Sequence, residues 1–400
     1  MSEFEQELAE RLAVIREQGL YRELRRVNSP QLAHTQVDSR TLLNFSSNDY
    51  LGLANDPVLK AAAIKGIERY GAGSGASRLI CGSLAPHHEL EQAIAAFKGA
   101  EAALAFSSGY ASALGTICAL LDAHDVVIID KLVHACVVDA ARLCHAELRV
   151  FPHNDLESLA KILRWGDRRN ASLSAKRRPR TLIVTESVFS MDGDFAPLRE
   201  LVELKDRHGA WLMVDEAHAT GLYGEKRRGL AEEFGLADRI EIQMGTLGKA
   251  LGAAGGFVCG SRALIDYLVN RARSFIFSTA PVPAAAAAAS AAIHLIQSEE
   301  GQLRRNQLWA RVDQLKNGLI AAGFVLAPVR SAIIPLVMGD EARALAAATA
   351  LSEQGVFIPA IRYPTVARGK ARLRLTVSAA HAAADVNQLV TALSSLKLET

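Results

Sequence analysis

The chain of 400 residues is poor in several things, and each shortage excludes a class of protein. Aromatics make up only 6% of it, so its apolar half rests largely on aliphatic and small residues. Net charge is nearly absent: Lys and Arg number 45 against 43 Asp and Glu, a balance of +2. A protein built to coat nucleic acid or an anionic membrane would carry a large excess of one sign. The five cysteines (Cys81, Cys118, Cys136, Cys144, Cys259) form no CxxC pair, which argues against a zinc site or a redox motif. Their odd number fits a reducing compartment. Uninterrupted apolar runs of about 18 residues, the length that spans a bilayer, are also missing. The nearest candidate, Pro283 to Ile296, is mostly alanine and too short. The acidic start (Glu3, Glu5, Glu7, Glu10) is the opposite of a signal peptide, so a cytoplasmic protein is expected.

What is present is an apolar content of 50%, too high for a disordered chain and ample for two or three domains. Phe4, Leu8, Leu12 and Ile15 make one helical stripe over 2–18, which Gly19 ends. Thr41 to Phe45 reads as a strand. From about residue 55, helices alternate with short apolar strands at 102–106, 126–129, 181–185 and 211–214. That alternation predicts a mainly parallel sheet covered on both faces. The basic stretch from Arg164 to Arg180 reads as a solvated loop, with contact to an anionic substrate or carrier protein as the other reading.

Ligands of open parallel sheets bind beyond the carboxyl ends of the strands, which singles out four places. Phe106-Ser-Ser-Gly-Tyr110 runs from a strand into a helix start, where free N–H groups favour a phosphate; it also reads as an ordinary turn. Asp215 closes a strand three residues before His218, and equally suits a helix N-cap. HExxH-type spacing is absent there, and no metal is expected. Lys249 lies in a Gly-rich, nearly uncharged stretch, where desolvation would lower its pKa and suit a Schiff-base amine. His134 follows the strand ending at Asp130 and alone reads as a structural histidine. Together, a phosphate cradle, an acid at a strand end, an apolar lysine and a ring-stacking histidine are what pyridoxal phosphate needs.

The segments Asn44–Leu53 (NFSSNDYLGL), Glu186–Asp194 (ESVFSMDGD), Val214–Gly221 (VDEAHATG), Gly245–Lys249 (GTLGK) and Ala371–Leu375 (ARLRL) resemble those of the α-oxoamine synthase family of fold-type-I pyridoxal-phosphate enzymes. The resemblance implies a large α/β cofactor domain at 46–289, a smaller α/β domain at 290–400, and an N-terminal helix with its connection at 1–45. It further implies that Lys249 binds the cofactor, Asp215 pairs with the pyridinium nitrogen and His134 stacks on the ring. Glu186 joins the cofactor set, with His218 and Ser190 near the phenolic oxygen. Ser108, Gly109, Tyr110 and Thr246 would hold the phosphate, and Ser278 and Thr279 would reach the cofactor phosphate of a second subunit, hence a homodimer. Arg374, helped by Asn48, would bind an amino-acid carboxylate, with Arg22, His134 and Thr365 also contacting substrate. The implied reaction is a decarboxylative condensation of L-alanine with a pimeloyl thioester of coenzyme A or acyl carrier protein. Tyr363, where the family suggests proline, and the ligase-like Arg78–Gly82 leave two alternatives open. These are a glycine-using acyltransferase of the same family and an aminotransferase on the same fold.

Overall fold

The computed structural model describes residues 1–172 and 179–396. Its strands, in chain order, are β1 (His34–Val37), β2 (Arg40–Asn44), β3 (Ala102–Phe106), β4 (Val126–Asp130), β5 (Glu147–Phe151), β6 (Thr181–Glu186) and β7 (Trp211–Asp215). They continue as β8 (Ile242–Thr246), β9 (Gly256–Gly260), β10 (Ile333–Gly339), β11 (Val356–Phe357), β12 (Ala360–Ile361) and β13 (Ala371–Thr376). The helices that matter below are α1 (Glu3–Glu17), α2 (Pro57–Tyr70), α3 (Ala85–Lys98), α4 (Gly109–Leu120), α5 (Ala135–Leu143) and α6 (Leu156–Ser172). The chain divides into two compact units, residues 51–190 with 194–305, and residues 1–50 with 191–193 and 306–400.

The first unit is built on a seven-stranded sheet of order β3-β9-β8-β7-β6-β4-β5. Strands β5, β4, β6, β7 and β8 run parallel, and β9 alone opposes its neighbours. Buried on both faces, β4 reads Val-Val-Ile-Ile, the continuous apolar run that such a strand requires. Strand β5 escapes a search for such runs because Glu147 and Arg149 lie on a half-exposed edge. The alanine-rich helix Pro283–Gln297 packs on α2 and α3. Its small residues admit a close crossing: a Cβ on Gly66 of α2 would sit 3.1 Å from the Ala284 Cα. The domain boundary expected at 289/290 falls within this helix, whereas the two units separate after Arg305.

The basic stretch is partly corrected. Residues 164–172 are not loop but the second half of α6. Leu159, Leu163 and Gly166 are buried at spacings of four and three, so a helical apolar stripe lies beneath the basic surface. Arg169 pairs with Glu147 of β5 at 2.6 Å, and Arg149 lies over the Trp165 ring. Lys176, Arg177 and Arg178 lie outside the described residues.

In the other unit, β1 and β2 pair antiparallel while β11 adds to β2 in parallel, so the N-terminal segment and the C-terminal region share one small sheet. A second sheet has the order β10-β13-β12. Helix α1 begins with a capping box between Ser2 and Glu5. Among the described residues no helix is long and apolar enough to cross a membrane.

One charge pair in the sheet unit is wholly buried. Lys98, at the end of α3, bonds Glu216 and the Arg228 carbonyl, and both side chains are inaccessible to solvent. Glu216 also accepts from the Ala231 N–H at 2.8 Å, and its own N–H donates to Met244 O. The pair thus fixes the backbone one residue beyond Asp215. Lys98→Met strands a buried carboxylate and is expected to cost about 3–5 kcal/mol in urea unfolding. The double variant Lys98→Met/Glu216→Gln should recover most of that loss; no recovery would show that the pair's charges are not what the site senses.

Candidate active site

Parallel pairing sets Glu186, the last residue of β6, in register with Asp215, the last of β7. Both are buried, at 2% and 5% exposure. One Asp215 carboxylate oxygen accepts from the Ala217 N–H at 2.8 Å. No helix follows Asp215, so the N-cap reading fails; the chain turns through 217–223, with His218 buried in the turn. Burial raises the Asp215 pKa, with Lys249 and His134 pulling the other way. Asp215, Lys249 and His134 therefore lie within electrostatic reach of one another.

Glu186 ties two further elements to this centre. Its Oε2 accepts from the Ser190 N–H at 3.1 Å, and the His134 backbone N–H also favours its charge. Burial pushes its carboxyl up to about 8, and the Asp215 charge pushes the same way. His134 caps α5: its Nδ1 accepts from the Cys136 N–H at 3.2 Å, which puts the proton of the neutral ring on Nε2. His134 is exposed by surface area, yet the protein around it lowers its pKa below the ordinary value.

The phosphate cradle forms where β9 crosses the start of α4. Ser108 caps α4 by accepting from the Ala111 N–H at 3.1 Å. A Cβ on Gly256 would lie 2.5 Å from the Gly109 nitrogen, so only glycine lets β9 pass this close. Thr246 ends β8 beside the cradle, donating to Gly255 O and accepting from the Gly248 N–H. Lys249 follows in a turn closed by the Gly252 N–H on its carbonyl. Tyr110 donates to Asp139, which holds its phenol above the usual pKa. Ser278 and Thr279 lie on a surface segment, with Thr279 bridging Ser77. These residues fit pyridoxal phosphate: a helix start with close backbone for the phosphate, a buried acid for the ring nitrogen and a lysine for the aldehyde.

Of the expected substrate residues, His134 lies in the sheet unit and the others lie in the other unit, in two groups. Arg374 on β13 is 7% exposed, and its Nη1 donates to Asn48 Oδ1 at 3.1 Å and Thr376 Oγ1 at 2.9 Å. Arg22 donates to Thr365 Oγ1 at 3.3 Å on the wall of a cleft of about 960 Å³. The described residues contain no group of three or more His, Cys, Asp or Glu able to hold an ion. All five cysteines are free thiols.

Sequence reading missed a polar network around His153. The ring joins Asp130, the last residue of β4, at 3.0 Å and Asp194 at 2.8 Å, and packs edge-on against Phe189. Asn154 adds bonds to Asp130 and the Phe195 carbonyl. The clue was His153-Asn-Asp after a polar edge strand that had no apolar signature. The network anchors the end of the segment that carries Ser190.

Residues 40–393 match the family described as aminotransferase class I and II. An 8-amino-7-oxononanoate synthase of Anaeromyxobacter dehalogenans is 51% identical over 378 residues, 94% of this chain and 92% of its own. One from Geobacter sulfurreducens is 46% identical over 392 residues, 98% of each chain. Among solved structures, serine palmitoyltransferase from S. paucimobilis with a bound pyridoxal phosphate–myriocin adduct aligns at a TM-score of 0.90 and 29% identity, covering 99% of this chain and 98% of that one. The 8-amino-7-oxononanoate synthase of Francisella tularensis aligns at 0.73 and 27%, covering 89% and 97%.

The His153 network makes a pH-dependent prediction. Burial works against its charge, but Asp130 and Asp194 outweigh it and raise the pKa to about 10. A raised folded pKa gives stability that is complete below the unfolded value near 6.5 and fades as pH rises through about 10. His153→Gln should therefore be most destabilised, relative to the parent, near pH 6, with the gap closing toward pH 10. Denaturant unfolding across that range checks this, and a gap independent of pH would contradict it.

Proposed function

Since the chain belongs to the class I and II aminotransferase family of fold-type-I pyridoxal-phosphate enzymes, we propose that it condenses L-alanine with a pimeloyl thioester in biotin synthesis. The products are 8-amino-7-oxononanoate, carbon dioxide and a free thiol, with coenzyme A or acyl carrier protein as the thiol carrier. The observation that carries the chemistry is Asp215, buried at a strand end with the Lys249 ammonium near enough to favour its charge. The choice of alanine and a pimeloyl group rests on the near-full-length relatives.

The bound cofactor supplies an electron sink for the substrate carbon that loses a proton. Lys249 would hold it through a Schiff base and, once displaced by the amino acid, take the Cα proton on Nζ. Asp215 would keep the ring nitrogen protonated. His134 would lend a neutral ring to stack, and His218 and Ser190 would serve the phenolic oxygen. The helix start at Ser108, Gly109 and Tyr110, with Thr246, would take the phosphate. Arg374, oriented by the neutral acceptors Asn48 and Thr376, would clamp the substrate carboxylate until it leaves as carbon dioxide. Arg22 and Thr365 would contact the acyl portion. Ser278 and Thr279 would serve a second subunit's cofactor phosphate, which makes the working form a homodimer. A cytoplasmic setting belongs to the proposal and accords with five free thiols.

Lys249→Ala should lower turnover by about 10²–10⁴-fold or more, the scale of a lost general base, and remove the visible absorbance of the lysine-bound cofactor. Retained turnover would overturn the assignment. In a panel pairing alanine, glycine and serine with pimeloyl, acetyl and palmitoyl thioesters, alanine with pimeloyl should give the highest kcat/KM. A preference for serine with palmitoyl would move the chain to the chemistry named for its structural neighbour.

A further inference from the structure

Two buried carboxyl groups end neighbouring strands at this site, and the chemical roles above use only one of them. Strand register puts Glu186 beside Asp215 on neighbouring parallel strands, where residues in register point the same way. Both side chains are buried. Two adjacent buried carboxylates cannot both stay ionised cheaply, and such pairs hold one proton between them. The surroundings decide which of the two keeps it. Asp215 has the Ala217 N–H at 2.8 Å and the Lys249 ammonium in its favour. Glu186 has the Ser190 N–H on Oε2, while its buried Oε1 finds no hydrogen-bond partner among the described residues. An ionised carboxylate wants hydrogen-bond donors on both oxygens, whereas a carboxylic acid needs fewer of them.

We propose that Glu186 is a proton-holding residue of the site: it stays a neutral acid at pH 7, so that Asp215 alone carries the negative charge toward the ring nitrogen. This deepens the functional reading above and rests on it for the identity of the ring. The charged and titratable groups facing Glu186 are Asp215 from β7, Lys249 from the turn after β8, and Cys136 from α5. The Cys136 thiol is pushed up to about 12 by burial and stays neutral. The His134 and Ser190 backbone N–H groups complete its surroundings. Burial and the Asp215 charge together lift Glu186 to about 8, the direction the geometry requires. An ionised Glu186 would place a second negative charge beside Asp215 and compete with it for the ring proton. The neutral acid avoids that competition and leaves Oε1 able to donate or accept.

Infrared difference spectroscopy of the full-length holoenzyme tests this. The spectrum of the parent minus Glu186→Gln at pH 7 should show the C=O stretch of a protonated carboxylic acid, and the band should vanish as pH is raised above about 8. Labelling the unmutated chain with ¹³C-glutamate should shift the same band, which keeps the test intact if the variant does not fold. A parent without a glutamate acid band at pH 7, or one whose band is removed by Asp215→Asn and not by Glu186→Gln, overturns the proposal. A holoenzyme that condenses alanine with the pimeloyl thioester but lacks the band refutes only the protonation of Glu186. A Lys249→Ala protein that keeps its turnover refutes the functional reading instead.

Discussion

Everything in the site depends on the register between β6 and β7. Evenly spaced parallel hydrogen bonds bring Thr185 beside Val214 and Glu186 beside Asp215, and the next residues leave the sheet. The apolar parts of these strands are buried on both faces, so the first ionisable side chains appear together where the strands end. A slip of one residue would turn Asp215 to the opposite face and put Val214 in its place. The carboxylate is thus positioned by apolar packing many residues away, and its charge is tuned by what the strand ends gather around it.

The supporting polar groups hold that register from outside the sheet. Lys98 and Glu216 form a buried pair just beyond Asp215, and His153 links Asp130 at the end of β4 to Asp194. The buried Lys98–Glu216 pair adds little net stability by charge alone, because desolvation offsets the attraction. Their effect is to make one backbone path better than its neighbours. Glycine has the complementary task at the cradle. With no side chain at Gly256, β9 can run against the start of α4, and the helix N–H groups stay open to an anion.

Much of this was legible in the sequence because it follows from short-range chemistry. The apolar runs of β3, β4, β6 and β7 announced a parallel sheet, and the polar residues directly after them were the ones worth weighing. Asp215 and His134 were picked out that way, since ligands of such sheets gather at strand ends, and Lys249 by its Gly-rich, nearly uncharged stretch. Strand β5 stayed hidden because an edge strand with Glu147 and Arg149 has no core pattern, and His153 was hidden with it. The second half of α6 looked like loop because its basic face outweighs Leu159, Leu163 and Gly166 in composition, although their spacing is helical. The Lys98–Glu216 pair joins residues 118 positions apart, a separation that no local pattern encodes. Arg22 and Thr365, 343 positions apart, were matched by resemblance alone, and the chain brings them within 3.3 Å.

One buried centre removes a proton from alanine, joins it to an acyl group and releases its carboxyl carbon. The most direct measurement follows L-[1-¹³C]alanine and a pimeloyl thioester through the reaction, counting labelled carbon dioxide against free thiol. Equal amounts of both are expected, with the alanine nitrogen retained in the amino-ketone. Thiol release without labelled carbon dioxide, or transfer of the nitrogen to an oxo acid, would contradict it.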